Sequence, residues 1–120
     1  MILFKENCKI DILEAKTSGG DGRLLYVKVN MNGMQILLVN IYAPNEDNAE
    51  FFESIFSEIS EMCIPQTIIG GDFNLVLDVN NDKYGGRHRT HNNAQTSVKK
   101  YMETLEIIDV WRVKHPTLKE

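Results

Sequence analysis

Residues 23–42 read RLLYVKVNMNGMQILLVNIY. Two β-rich runs flank Met31-Asn32-Gly33, and Asn-Gly is the dipeptide that best accepts positive φ at both central positions of a tight turn, so a hairpin is predicted here. In the first run Leu25, Val27 and Val29 alternate with Leu24, Tyr26 and Lys28, which calls for one buried face. The second run, from Ile36 to Ile41, is apolar almost throughout apart from Asn40, and predicts a strand covered on both faces.

Upstream of the hairpin, Met1–Phe4 reads as a strand and Lys9–Lys16 as another, carried by Ile10, Ile12 and Leu13. The run from Thr17 to Gly22 holds three glycines in six residues and predicts a turn or loop. Downstream, Ala43-Pro44-Asn45 breaks the strand. Asp47 followed by Glu50 has the form of a capping box, with Asp47 accepting the early amides of the next helix. Phe52, Ile55, Phe56, Ile59 and Met62 then form a helical apolar stripe, with Glu53, Glu58 and Glu61 facing outward. Pro65 stops that helix, and Thr67-Ile68-Ile69 predicts a short buried strand. Beyond Leu77 the chain is polar and loop-like to Asn93. Ser97–Ile107 is helical by pattern, and Asp109-Val-Trp-Arg112 closes it as a turn of helix or a corner, with Trp111 and Arg112 packing the last helix onto the sheet. Strands followed by a helix and a strand indicate an α/β layered domain.

With 120 residues, 42% of them hydrophobic and 25% charged, the chain has room for one domain with a hydrophobic core. A net charge of −4 disfavours a general nucleic-acid coat protein, which would be basic, but leaves room for an enzyme gripping a few phosphates at one place. Cys8 and Cys63 stand far apart in no metal-binding or redox spacing, and read as packed thiols of a reducing compartment. No apolar stretch is long enough to span a membrane and no signal peptide is evident, so an intracellular protein, cytoplasmic or nuclear, is expected. The chain starts inside an apolar run and stops just after a helix, so both edges read as cut.

The chemistry-bearing stretch is QTIIGGDFNL, residues 66–75. Two glycines let the backbone turn while presenting Asp72 at the C-terminal end of a strand, where clefts form in layered α/β domains. An Asp there can orient water or take its proton, and Asn74 offers both a donor and an acceptor. The pair suits attack of water on a phosphodiester; the same residues also fit a tight turn bonded to its own backbone. In Val39–Asn45 a strand likewise ends at Tyr42, whose phenol can donate to a phosphate oxygen without bringing charge, or can be an ordinary core tyrosine. Lys83 to His91, KYGGRHRTH, is the basic cluster of the chain; Arg87 and Arg89 could meet DNA phosphates or simply be solvated. His88, His91 and His115 read as loop or packing residues.

Taken together, VNIYAPN (residues 39–45) and IIGGDFNLVLD (residues 68–78) resemble the endonuclease/exonuclease/phosphatase superfamily. In particular, the chain looks like the apurinic-type endonuclease domain of non-LTR, LINE-like retrotransposons, in which IDVWRVKHP (residues 108–116) also has a counterpart. The resemblance runs from the first strand to Pro116 and implies a partial four-layered α/β sandwich of the DNase I-like kind, of which this chain would be the central portion. It implies magnesium-dependent hydrolysis of DNA. Asp72 would orient or deprotonate the water, Asn74 would hold that water or a phosphate oxygen, Tyr42 would contact the scissile phosphate, and Asn45 would support the site or the DNA backbone. Phe73 would anchor the loop and Asp78 would brace it. The family's N-terminal strands with an Asn and a metal-binding Glu, and its C-terminal Ser-Asp-His segment, have no counterpart in the sequence. One Asp and one Asn make a poor magnesium cage. Weak or absent unaided turnover is therefore expected, and the alternatives are a non-catalytic remnant that binds DNA or protein, or a relative acting on small phosphodiesters. Self-association through exposed sheet edges is a further expectation.

Overall fold

The computed structural model describes residues 1–18, 21–78 and 91–118. It shows an α/β fold with one four-stranded mixed sheet and three helices among the described residues. The chain divides into two units: Met1–Ala43 with Glu58–Phe73, and Pro44–Ser57 with Asn74–Glu120. The helix α1, Ala49–Met62, is continuous across that division.

The first unit contains the sheet. Its strands β1 (Asp11–Ser18), β2 (Leu24–Met31), β3 (Met34–Tyr42) and β4 (Thr67–Asp72) lie side by side in chain order. The pairs β1/β2 and β2/β3 are antiparallel, whereas β4 runs parallel to β3. The predicted hairpin is present: Met31 pairs with Met34, and Asn32 and Gly33 carry φ of 53° and 85°. Both signs match the turn whose twist suits a right-handed ribbon.

Register and side-chain alternation sort the sheet residues into two faces. Leu24, Tyr26, Leu37, Val39 and Ile41 share one face and are all buried. On the other face Val27 and Val29 are buried, but Ile36, Leu38 and Asn40 are only half-buried. So β3 is fully covered on one face, not on two as expected, while β2 buries residues of both faces. The strand β4 is longer than predicted and less buried, with Ile68 60% exposed. It is a sheet edge, so β3 shelters it along one side only. Met1–Phe4, expected to be a strand, forms none. Cys8 is exposed, contrary to the expected packed thiol, and Cys63 is half-buried. The Cys63 thiol donates to the Thr67 hydroxyl at 3.4 Å, and that hydroxyl donates to Ile64 O at 2.6 Å, which shapes the Pro65 turn into β4. Glu58, expected to face solvent, accepts from the Ser18 hydroxyl at 2.6 Å and ties the end of β1 to the last part of α1.

In the second unit the aromatic stripe of α1 is realised: Phe52 stacks on Phe56, and Phe56 on Tyr101 of α2 (Asn92–Thr104), with ring centroids 6.4 and 5.2 Å apart. Phe52, Ile55, Phe56, Ala94 and Val98 are buried. The caps differ from the sequence reading. Asn48, not Asp47, caps α1, its Oδ1 accepting from Phe51 N at 2.9 Å. Asp47 instead caps α2, accepting from Ala94 N at 2.8 Å and from Asn93 N and Nδ2 at 3.3 and 3.0 Å. With its first amides capped in this way, α2 starts at Asn92, five residues before the predicted Ser97. The helix α3, Val110–Lys114, is capped by Asp109, which accepts from Arg112 N at 3.0 Å. Trp111, expected to be packed away, is half-exposed with its ring 4.2 Å from that of His115. Arg112 donates to His115 O and Leu118 O, holding the turn after α3.

Candidate functional site

Two of the predicted site residues are brought side by side by the parallel ladder. Tyr42 ends β3 and Asp72 ends β4, and the two are register partners. Residues directly opposite in a ladder point to the same face of the sheet, so the phenol and the carboxylate emerge on one face at the strands' C-terminal ends. The hydrogen bond from Ala43 N to Asp72 O, 2.8 Å, closes the ladder just beyond them.

The glycines upstream of Asp72 do different work. The β4 ladder continues through both, with Asn40 opposite Gly70 and Ile41 opposite Gly71. Only Gly71 has a positive φ, +135°, and a Cβ built there would overlap the Ile41 carbonyl and lie 2.7 Å from Ile41 N. A Cβ at Gly70 would meet nothing within 4 Å. The backbone of β4 thus approaches β3 as only glycine allows, immediately before Asp72. Asp72 is exposed, and Tyr42 is 56% exposed.

One neighbour of Tyr42 was missed in the sequence. The Arg23 guanidinium lies over the Tyr42 ring, its Cζ 5.3 Å from the centroid. Its Nε donates to Asp21 Oδ2, and Nη1 donates to Tyr42 O at 3.4 Å. Tyr42 N in turn donates to Arg23 O at 2.8 Å. The hairpin register could have found this residue: with Leu24 opposite Ile41, Arg23 must stand opposite Tyr42.

Asn45 is exposed and Asn74 half-buried, both in the second unit. Asn74 has φ of 47°, a left-handed conformation that Asn tolerates better than most residues. The loop that follows it is clamped within the same unit by Gln95, whose Nε2 donates to Val76 O at 2.7 Å and Leu77 O at 3.0 Å. Arg87 and Arg89 lie outside the described residues.

Magnesium, which the resemblance implies, prefers a near-octahedral shell of oxygen ligands. Among the described residues no group of three or more His, Cys, Asp or Glu is placed to hold a metal ion. The described side chains therefore do not fit such a cage by themselves. Among the same residues no helix is long and apolar enough to cross a membrane.

No protein-family model matches the chain. It is 32% identical over 117 residues to the Transposon TX1 uncharacterized 149 kDa protein of Xenopus laevis. The chain resembles part of a transposon protein. The match takes in 95% of this chain but 9% of that relative's length. This agrees with the mobile-element origin expected from the two inner motifs.

Proposed function

We propose that the chain is part of the DNA-cleaving portion of a LINE-type retrotransposon protein and carries the water-activating side of a phosphodiester-hydrolysing site. The supporting observation is the register pair of Tyr42 and Asp72 at the ends of parallel strands, at the positions the family resemblance marks. In this reading the Asp72 carboxylate orients a water and takes its proton as the oxygen bonds to phosphorus and the ester oxygen leaves. The Tyr42 hydroxyl donates to a phosphoryl oxygen as negative charge gathers there. Asn74 would hold the water or a phosphoryl oxygen, and Asn45, Arg87 and Arg89 would contact the DNA backbone. The likeness to a transposon-encoded protein supports the retrotransposon part of this reading.

The test is nicking of supercoiled plasmid by the purified chain in the presence of magnesium. With no group of three or more His, Cys, Asp or Glu placed to hold a metal ion among the described residues, weak or absent nicking is expected of this chain alone. A positioned general base contributes roughly 10²–10⁴ in rate, so Asp72→Ala should reduce the rate by at least about 100-fold. Loss of a hydrogen bond to a charged oxygen is worth about 1.5–3 kcal/mol, so Tyr42→Phe should slow nicking by roughly 10- to 100-fold. Nicking indifferent to both substitutions would sink the reading. Salt-sensitive DNA binding that survives Asp72→Ala but fails when Arg87 and Arg89 are removed would assign the chain to binding rather than cleavage.

A further inference from the structure

Arg23 has no part in the reading of Tyr42 and Asp72 as a phosphodiester site, yet the fold places it against one of them. It is the residue just before β2, opposite Tyr42 in the antiparallel ladder, and its guanidinium spans the ring face at 5.3 Å. That distance is within the range in which a cation is attracted by an aromatic face. The guanidinium is also tethered from two other sides. Asp21 accepts from its Nε and, at 3.3 Å, from its backbone N–H, while Tyr42 O accepts from Nη1 at 3.4 Å. With about a third of its side chain exposed, Arg23 is held rather than waving in solvent.

From this arrangement we infer that Arg23 is a positioning residue for Tyr42, with Asp21 as its anchor. The inference rests on the phosphodiester-site reading given above. An exposed tyrosine at a strand end has rotamer freedom to lose when its hydroxyl engages a ligand. A planar cation laid on the ring removes part of that freedom beforehand. Lysine would supply charge but neither the planar stack nor the fork that reaches Asp21 and Tyr42 O together. Arg23 itself need not touch the phosphate.

The experiment uses the purified chain and a thymidine dinucleotide as the phosphodiester probe, followed by NMR. The Tyr42 ring signals are assigned by their loss in Tyr42→Phe, and Asp72→Ala serves as the control for the site. The probe is expected to shift the Tyr42 ring and the Asp72 amide in the wild type. Arg23→Ala should move the Tyr42 ring signals before any probe is added and weaken probe binding by about tenfold, the size of a cation–π contact that is partly desolvated. Arg23→Lys should restore little of that loss, a result that a charge acting at a distance would not produce. Asp21→Asn, a surface change that leaves the guanidinium in place, should give a smaller loss in the same direction. It stands in for Arg23→Ala should that variant lose amide dispersion. Ring signals and probe affinity unchanged in Arg23→Ala, or fully restored in Arg23→Lys, overturn the positioning role while the site reading stands. A wild type that the probe leaves unshifted at both Tyr42 and Asp72 overturns the site reading, and the inference with it.

Discussion

At Gly71 the backbone has φ of +135° and passes so close to Ile41 that a Cβ would overlap a carbonyl oxygen, whereas Gly70 has open space around it. The two adjacent glycines are indistinguishable in the sequence, which predicts a sharp turn at both. The structure shows a strand that runs through them and a single position where only glycine fits. Gly71→Ala is therefore expected to cost about 3 kcal/mol or more, from backbone strain together with a clash against an ordered strand. Gly70→Ala should change stability by less than about 1 kcal/mol, as exposed substitutions away from such features do. Urea-unfolding midpoints of the two variants check this, and equal midpoints would contradict it. Tyr42 and Asp72 were legible as individuals, because strand-terminal polar residues after apolar runs stand out. Arg23 was not, because its relation to Tyr42 exists only through cross-strand register.

The helices show how caps are chosen by distance in space. Asp47 lies just before α1 and has the right spacing to cap it, yet its carboxylate accepts from the amides of Asn93 and Ala94 at the start of α2. Those backbone donors, led by Ala94 N, hold the Asp47 carboxyl below its ordinary value. A depressed carboxyl contributes stability that is present above the unfolded carboxylate range of about 4 and is lost as pH falls through the lower folded value. Exchange protection of the Asn93, Ala94 and Gln95 amides should accordingly decline below about pH 4 in the wild type. In Asp47→Ala the protection should already be reduced at neutral pH, with little further loss on acidification. The other end of α2 carries a different signature. Glu106 has φ of 55°, Ile107 N donates to Met102 O at 2.8 Å and Glu106 N to Glu103 O at 3.3 Å. This is a Schellman turn with Glu where glycine is favoured. Glu106→Gly is expected to stabilise the protein by about 0.5–1 kcal/mol, read from the urea midpoint; a fall in the midpoint would show that the Glu106 side chain has a role beyond tolerating the conformation.

Across the whole chain, α1 is the element that belongs to both units, its residues to Ser57 in the second and those from Glu58 on in the first. Proline inside a helix removes a hydrogen bond and clashes with the preceding turn, at about 3 kcal/mol or more. Ser57→Pro is thus expected to lower the stability of both units in one transition. Fluorescence of Trp111 in the second unit and amide exchange along β2 and β3 in the first should report the same midpoint. Two separated transitions would show that the units unfold independently. At this scale the local patterns were legible: the Asn-Gly hairpin, the apolar stripe of α1 and the stop at Pro65 all follow from periodicity and turn chemistry acting on neighbouring residues. What tertiary structure alone decided is the pairing of β4 parallel to β3, the exposure of Ile68, the capping of α2 by Asp47 and the stacking of Arg23 on Tyr42. Each depends on which distant groups meet, and in that contest burial and hydrogen-bond satisfaction over the whole fold outweigh the preferences of any short stretch.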